Sequence, residues 1–256
     1  MKIALVGYGK MGRMIHGIAE KRNHTVALTV DAFQKDASLV TANPDELLSA
    51  VKSSAVEGII EFSHPSAVLK NITTLLPLSI PIVVGTTGWK EKLGEVESLA
   101  ASVGGTLVHS SNFSIGVNIF YKIVEEAVKL LSPYNEYDIA TWEMHHNQKA
   151  DSPSGTALEI ANRIILNSDK EKIISDAFHA KPENCELHVS STRCGSVPGT
   201  HTVFFDSSAD TIELTHRARN REGFALGAVV ALEKLSSLLK TGTLQKGKVY
   251  TLQDLF

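Results

Sequence analysis

The feature that most constrains the fold of this chain is a glycine-rich turn that follows its first apolar run, Ile3–Val6. Gly7-Tyr8-Gly9-Lys10-Met11-Gly12 has the spacing G-x-G-x-x-G and leads into a helix-forming stretch. In this pattern the first glycine permits a tight turn, the second lets the main chain approach a pyrophosphate, and the third allows close helix packing. The helix N-terminus then holds the phosphate charge. The pattern predicts a dinucleotide site, and the alternative is a purely structural turn.

Short β-branched runs alternate with helix-period stretches as far as residue 112. Such alternation is typical of an α/β protein with a Rossmann-like, doubly wound parallel sheet and helices on both faces. The segment 34–44 shows neither period and is predicted to be a loop.

The pattern changes after residue 112. A helix is expected over 117–131, with an apolar stripe formed by Ile119, Ile123, Ala127 and Leu130. Consecutive strand-like runs from residue 187 onward predict an antiparallel or mixed sheet. A final helix over 223–239 is apolar on more than one face, which predicts that it is buried against the first domain. We therefore expect a dinucleotide-binding domain at 1–112 plus 217–256, and an inserted α+β domain at 113–216.

Composition excludes several classes of protein. The 256 residues are 43% hydrophobic with a net charge of −3, and their scattered Lys and Arg give no basic face, so we expect no nucleic-acid partner. The longest apolar run, Phe224–Leu232, is too short to span a bilayer, so no membrane association is expected. Cys185 and Cys194 cannot form a disulfide framework, and the residues after Met1 do not read as a signal peptide. Both observations predict a cytoplasmic location.

Three polar sites follow predicted strands, at the sheet edge where open α/β sheets bind ligands. Asp31 ends the second strand, where it can accept hydrogen bonds from the adenosine ribose. Gly85-Thr86-Thr87-Gly88 follows the fourth strand and could face a nicotinamide, and Ser110-Ser111-Asn112-Phe113 follows the next. The alternative for each is an ordinary turn or strand end.

The most specific stretch runs from Glu143 to Ala157. It gathers His145, His146 and Lys149 and then opens a helix at Ser154-Gly155-Thr156, whose first turn offers free backbone N–H groups beside two hydroxyls. Such a site suits a small anion, above all a carboxylate. The alternative is a capped helix behind a polar loop. Metal binding is not predicted, because the two histidines have no partner at regular ligand spacing.

Four motifs together resemble the 4-hydroxy-tetrahydrodipicolinate reductase (dihydrodipicolinate reductase) family. They are the G-x-G-K-M-G start, G-T-T-G, S-N-F-S-I-G-V-N at 111–118 and E-M-H-H-x-x-K-x-D-S-P-S-G-T-A at 143–157. The resemblance covers nearly the whole chain. It implies an enzyme of lysine and diaminopimelate biosynthesis, a homotetramer assembled through the inserted domain, that reduces a cyclic dicarboxylate imine with NADH or NADPH and without a metal.

The resemblance also implies site residues by position. The cofactor would be held by Gly7, Tyr8, Gly9, Lys10, Met11, Gly12, Asp31, Gly85, Thr86, Thr87, Ser110, Ser111, Asn112 and Phe113. His145 and Lys149 would form the acid–base pair. The substrate would be bound by His146, Lys149, Ser154, Gly155, Thr156 and Arg217.

The implied chemistry agrees with these residue types. Hydride addition to a conjugated imine leaves an enamine-like centre that must take a proton, and a histidine beside a lysine can supply it while attracting carboxylates. Asp31 is followed by Ala32-Phe33 rather than by an arginine, and Lys35 is the first cation after it, so NADH is expected to serve at least as well as NADPH. The alternatives are another two-domain NAD(P)-dependent dehydrogenase acting on an amino or hydroxy acid, and a dinucleotide-sensing protein without catalysis.

Overall fold

The computed structural model describes residues 1–175 and 181–256, and its contacts divide the chain into two units. Unit 1 joins Met1–Ile115 to Glu222–Phe256, and unit 2 is Gly116–Arg221. The boundaries expected after residues 112 and 216 lie a few residues earlier than these. Among the described residues, no helix combines the length and hydropathy needed to cross a membrane.

The strands of the described residues, in chain order, are β1 (Lys2–Val6), β2 (Thr25–Asp31), β3 (Leu39–Val40), β4 (Gly58–Glu61), β5 (Ile82–Val84), β6 (Leu107–His109), β7 (Asp138–His145), β8 (Lys172–Ile174), β9 (Glu186–Arg193), β10 (Thr200–Asp206), β11 (Thr211–Arg217) and β12 (Val249–Thr251). The α-helices are α1 (Lys10–Lys21), α2 (Pro44–Ser53), α3 (Pro65–Leu75), α4 (Leu93–Val103), α5 (Ile115–Leu131), α6 (Gly155–Asn167) and α7 (Glu222–Lys240).

Unit 1 is a Rossmann-like doubly wound fold, as predicted. Its strands pair in parallel in the order β12-β6-β5-β4-β1-β2-β3, so the chain reverses its direction of travel across the sheet between β1 and β4. Ligands of open α/β sheets bind at the carboxyl ends of strands at such a reversal. Helix α7 packs against α1, β4 and β5 and buries Ala228, Val229 and Leu232, which confirms that this apolar helix belongs to the first domain.

The prediction of a loop holds for residues 34–38 and 41–43 but is wrong for the rest of the segment 34–44. The segment contains β3, and Pro44 begins α2. The helix start had readable signals, because Asn43 accepts a hydrogen bond from the Asp45 N–H at 2.9 Å and Pro44 occupies the first turn. A strand as short as β3 has no detectable period.

Unit 2 is built on a mixed sheet, in agreement with the α+β expectation. Within the described residues its strands lie in the order β11-β10-β7-β9-β8, with β7 antiparallel to β10 and parallel to β9. Side chains of β7 alternate, so Ile139, Thr141, Glu143 and His145 are buried on one face. The apolar core of the unit joins that face to helices α5 and α6.

The predicted apolar stripe of α5 is the wrong face of the helix. Ile119 and Leu130 are 52% and 72% exposed, and Ile123 is also exposed, whereas Ala127 is half-buried. The buried face instead carries Val117, Phe120, Tyr121, Val124 and Val128. Both sets recur at helical spacing, so periodicity alone could not choose the face that contacts the core.

Candidate active site

The glycine turn has the geometry that its spacing predicts. Gly7 has φ +96°, and a Cβ there would lie 2.2 Å from the Phe62 carbonyl oxygen. A Cβ on Gly12 would lie 2.1 Å from the Gly7 carbonyl oxygen, so this glycine allows α1 to pack closely on the turn. A Cβ on Gly9 would meet nothing within 4 Å, which leaves the main chain open to a ligand. The three glycines thus divide into two that pack and one that is accessible.

The start of α1 is suited to an anion. Gly9 is the N-cap residue and provides no side chain to cap the helix. Since the first N–H groups of any α-helix lack partners within the helix, those of Lys10, Met11 and Gly12 can donate to a phosphate. The Met11 side chain itself packs against the apolar core of unit 1.

A cavity of about 680 Å³ opens at the carboxyl ends of β1, β2 and β4. Gly7, Gly9 and Asp31 line it, together with Phe33, His64 and Lys70, which the sequence did not single out. The volume is within the usual range for ligand pockets and the place is the reversal point of the sheet. This donor set and shape fit the adenosine half of a dinucleotide.

Asp31 is held by the main chain. Its carboxylate accepts hydrogen bonds from the N–H groups of Tyr8 at 2.7 Å, Phe33 at 2.8 Å and Gln34 at 3.0 Å. Burial acts to raise the pKa of this carboxyl, but the three N–H donors outweigh burial and hold the pKa below its usual value. Asp31 is therefore an anion that can accept hydrogen bonds from hydroxyl groups.

The loop after β5 is braced by its neighbours. The Trp89 indole N–H donates to the Thr86 carbonyl oxygen at 2.9 Å, and the Gly85 N–H donates to the Glu61 carbonyl oxygen at 2.9 Å. The Glu61 carboxyl is buried, which raises its pKa, and it accepts from the Asn71 amide at 3.0 Å. These contacts fix Gly85 and Thr86 at the same sheet edge as the glycine turn, and Thr87 follows in the same loop.

The loop after β6 departs in one respect from the cofactor assignment. The Ser110 hydroxyl donates to the Asn112 carbonyl oxygen at 2.8 Å and forms a compact turn that includes Ser111. The Phe113 side chain, however, is only 2% exposed and packs against Phe62 in the core of unit 1. Because the Phe113 side chain is packed in the core, this residue can contact a cofactor only through its main chain.

In unit 2, strand pairing assembles a buried polar cluster around β7. Glu143 is in register with Ser191 on β9 and with His201 on β10, and His145 is in register with Arg193. Glu143 is fully buried, and its carboxylate lies 3.2 Å from the His145 Nδ1 atom. The predicted proton donor is therefore placed by a strand that also carries a buried anion.

The same carboxylate contacts the start of α6. Glu143 accepts hydrogen bonds from the Ser154 N–H at 2.9 Å and from the Ser154 hydroxyl, while Ser154 also accepts from the Ala157 N–H as the helix N-cap. Gly155 and Thr156 follow in the first turn, at the helix end that favours negative charge, and the Gly155 N–H donates to the Asp151 carboxylate. Burial raises the pKa of Tyr121, a contact of the Thr156 hydroxyl, to about 12, so the phenol stays protonated.

The Glu143 carboxyl is ionised in spite of its burial. Burial acts to raise its pKa, but contacts with His145, Ser154 and Ser191 outweigh that cost and hold the pKa far below the usual value. The Arg193 guanidinium, 3.0 Å away, supplies the compensating positive charge.

His201 is a second buried imidazole beside His145, with ring centroids 5.2 Å apart in an edge-on arrangement. Burial and the charge of His145 lower its pKa to about 4, so His201 is neutral near pH 7. Ligand atoms of Glu143, His145 and His201 lie within 4.8 Å of one another, as metal ligands would. Because Arg193 and two serines already occupy the carboxylate, this set does not favour a cation, and we assign no metal to it.

The remaining predicted residues lie near this cluster or at its edge. The Lys149 ammonium is 2.7 Å from the Asp151 carboxylate in the loop between β7 and α6, and His146 is half-buried directly after β7. Arg217 ends β11 in register with Thr200, which is itself in register with Met144. Strand pairing thus brings Arg217 to the same end of the sheet as His145.

Sequence profiles of one enzyme family match both units. Residues 1–113 match the profile described as "Dihydrodipicolinate reductase, N-terminus", and residues 116–256 match "Dihydrodipicolinate reductase, C-terminus". The chain belongs to the dihydrodipicolinate reductase family. This confirms the resemblance drawn from the four sequence motifs.

Relatives of the family align over almost the full length. The 4-hydroxy-tetrahydrodipicolinate reductase of Christiangramia forsetii is 37% identical over 99% of this chain and 97% of its own length. The enzyme of that name from Archaeoglobus fulgidus is 36% identical, with 99% of both chains covered. A dipicolinate-bound dihydrodipicolinate reductase from Paenisporosarcina sp. TG-14 shares the fold, with a TM-score of 0.75 at 21% identity over 99% of this chain and 98% of that one.

Sequence reasoning missed several members of the candidate site. Glu143 was noted only as the start of a motif, and Ser191, Arg193 and His201 were not considered. Their contacts depend on strand pairing between segments about fifty residues apart, which leaves no local signal. In unit 1, Arg13 was also missed; it pairs with Asp36 at 2.7 Å beside the Asp31 loop.

Proposed function

We propose that this chain catalyses the reduction of 4-hydroxy-tetrahydrodipicolinate to tetrahydrodipicolinate with a reduced nicotinamide dinucleotide, in lysine and diaminopimelate biosynthesis. The observation that carries the proposal is that one unit provides a cavity and a free helix N-terminus fit for a dinucleotide, while the other provides His145 beside an anion-binding helix start. The names of the full-length relatives support the choice of substrate.

Residues 7–12 would hold the pyrophosphate and Asp31 the adenosine ribose. The bound dinucleotide supplies a hydride. Reduction of the ring also requires a proton and loss of water, and the protein must provide or direct both. His145 donates the proton, and Lys149 adds positive charge beside it.

Unit 2 would bind the two carboxylates of the ring. The positive end of α6 at Gly155 and Thr156 suits one carboxylate, which would replace the Asp151 carboxylate at the Gly155 N–H, with Ser154 fixing the turn. The other carboxylate would be bound by the cationic or polar side chains of Lys149, His146 and Arg217. The Asp151 carboxylate holds the Lys149 ammonium in place, 2.7 Å away.

The test is an assay in which the preceding synthase generates the substrate in place while the absorbance of the reduced nicotinamide is followed. Oxidation that depends on the synthase supports the proposal. NADH binding without oxidation would instead favour a dinucleotide-sensing protein, and oxidation with an amino or hydroxy acid would favour another dehydrogenase.

We further propose that NADH serves at least as well as NADPH. Asp31 is an anion that would repel a 2′-phosphate, and the Arg13 guanidinium, whose charge acts on Asp31, is already paired with Asp36. A kcat/KM that favours NADPH by about tenfold or more would contradict this proposal.

A homotetramer in the cytoplasm is part of the proposal. The face of the unit 2 sheet opposite α5 and α6 carries Ala140, Trp142, Met144 and Phe204, all half-buried in the single chain. Such a face suits contact with further copies of the chain. Light scattering coupled to size exclusion measures the mass of the assembly, and a monomer would contradict the proposal.

A further inference from the structure

The two oxygens of the buried Glu143 carboxylate have different neighbours. Oε1 accepts hydrogen bonds from the Ser154 N–H at 2.9 Å, the Ser191 hydroxyl at 2.8 Å and an Arg193 guanidinium N–H at 3.0 Å. Because three donors from β9 and the start of α6 converge on this oxygen, the carboxylate is fixed in position.

The second oxygen faces the imidazoles. Oε2 lies 3.2 Å from the His145 Nδ1 atom and 3.9 Å from the His201 Nδ1 atom, and it also accepts from the Ser154 hydroxyl. On the far side of the His145 ring, Nε2 lies beside Gly199, where a Cβ would come within 3.0 Å. His145 is buried, and the glycine at 199 keeps a side chain of that residue from covering the Nε2 edge of the ring.

We propose that Glu143 is a positioning residue that ties the proton donor to the anion-binding helix start. One carboxylate holds the His145 proton on Nδ1, which leaves Nε2 as the atom that exchanges protons, and the same carboxylate fixes the Ser154 turn at the start of α6. The proposal rests on the proposed function, which makes His145 the proton donor and α6 the carboxylate site.

Charge supports this division of labour. An anion facing one imidazole nitrogen determines which nitrogen carries the proton. The titratable and charged groups that surround the pair in the described residues come from the neighbouring strands and the following loop. They are Arg193 on β9, His201 on β10, His216 on β11, and Lys149 with Asp151 after β7. Among the groups within ion-pair distance of His145, Glu143 is the anion that the structure records.

The first experiment measures the nitrogen resonances of the histidine imidazoles in the full chain, with His145→Gln used to assign the signals of His145. In the wild type, the Nδ1 resonance of neutral His145 should be that of a protonated nitrogen. In Glu143→Gln the proton should redistribute toward Nε2. Ser191→Ala is the matched control, because it removes one donor from Oε1 and leaves Oε2 facing His145, so the His145 signals should not change.

The second experiment measures kinetics and binding of the same variants. Glu143→Gln should lower kcat by about 10²–10⁴-fold, as loss of a correctly held general acid does. Pyridine-2,6-dicarboxylate is a planar ring that carries two carboxylates, as the proposed substrate does, and it serves as the binding probe. The dissociation constant of Glu143→Gln for this probe should rise by about tenfold, because the Ser154 turn loses charged hydrogen bonds. The dissociation constant for NADH should be that of the wild type. Glu143→Asp, which keeps the charge, should restore part of kcat.

Loss of one member of a buried ion pair can prevent folding, so the double variant Glu143→Gln/Arg193→Gln is measured in parallel, because it removes both charges. It should show the same redistribution of the His145 proton.

Unchanged His145 nitrogen signals in a folded Glu143→Gln or double variant would overturn the proposal, even if kcat fell. If the wild type does not reduce the ring substrate but the His145 proton still moves in Glu143→Gln, the positioning role stands and the proposed function fails.

Discussion

Unit 1 presents its candidate anion site through the main chain, with the open Gly9 at the start of an uncapped helix and Asp31 held by three backbone N–H groups. Unit 2 presents its candidate site through side chains, with the buried Glu143 and the half-buried Arg193 beside His145. Both sites use a helix N-terminus for negative charge, but the N-terminus of α1 has no side-chain cap, whereas Ser154 caps α6.

This difference determines how each site should respond to change. The glycine turn has no side chain that titrates near neutral pH, but it fails when a Cβ enters a space that only hydrogen fits. A side-chain site keeps its shape when a similar side chain is substituted, but it loses its charge or its proton. The two units should therefore separate cleanly in kinetics, in pH dependence and in their tolerance of added methyl groups.

The largest expected effect separates chemistry from cofactor binding. His145→Gln keeps the size of the side chain but removes the proton donor, so kcat should fall by about 10²–10⁴-fold with little change in KM. The variant is assayed with substrate generated in place, and NADH binding is followed by fluorescence titration. Because His145 belongs to unit 2, NADH affinity should equal that of the wild type.

Lys149→Ala provides the contrast within unit 2. It removes the ammonium group that would both bind substrate and assist proton transfer, so kcat should fall and KM should rise together. If His145→Gln kept the full kcat, Lys149 rather than His145 would be the proton donor. Loss of NADH affinity in either variant would contradict the division between the units.

The second prediction concerns pH. Burial, followed by the charge of His145, lowers the pKa of His201 to about 4, while in the unfolded chain it is about 6.5. Between these values the unfolded state binds more protons than the folded state. The stability that comes from a neutral His201 is therefore complete above about pH 6.5 and is lost as the pH falls toward 4, by about 3 kcal/mol in all.

Urea unfolding of the wild type and of His201→Gln, at fixed protein concentration from pH 4.5 to 7.5, measures this contribution. The free energy of unfolding should depend less on pH in the variant. His64→Asn is the control, because His64 is exposed and asparagine can replace it as the N-cap of α3. Parallel pH curves for wild type and His201→Gln would show that His201 does not titrate as described.

The contrast between the units also explains what the sequence could predict. The glycine spacing at 7–12 reports main-chain geometry directly, since only glycine fits at φ +96° or 2.1 Å from a carbonyl oxygen. The strand and helix periods likewise predicted the doubly wound sheet and the placement of α7. In unit 2 the motif at 143–157 predicted the start of α6, and the roles that it indicates for His145 and Lys149 stay predictions.

The rest depended on information that local sequence lacks. Arg193 reaches Glu143 only because β9 pairs with β7, and the register of that pairing is a tertiary property. The buried face of α5 was misjudged because Ile119 and Val117 are equally apolar, and the choice between them is made by the sheet that the helix covers. Phe113 was assigned to the cofactor although its side chain fills the core of unit 1.

The third prediction tests the main-chain character of the unit 1 site. In Gly12→Ala the new methyl group would lie 2.1 Å from the Gly7 carbonyl oxygen, and a main-chain atom cannot move aside without displacing the turn. The free energy of unfolding should fall by about 1–3 kcal/mol, as overpacking does, and NADH affinity should fall with it. Urea unfolding and NADH titration measure the two effects. Wild-type affinity would show that the turn tolerates the displacement.

The smallest effect comes from the same substitution five residues further along α1. A Cβ on Gly17 would meet nothing within 4 Å, and the residue lies inside the helix, where alanine is favoured over glycine. Gly17→Ala should therefore raise the free energy of unfolding by about 0.5–1 kcal/mol and leave NADH affinity unchanged. If the free energy of unfolding falls in Gly12→Ala and rises in Gly17→Ala, the loss comes from close contact at Gly12. It does not come from a general intolerance of alanine in α1. A loss of stability in Gly17→Ala as large as that in Gly12→Ala would contradict this, because the helix as a whole, and not the turn, would then be the sensitive element.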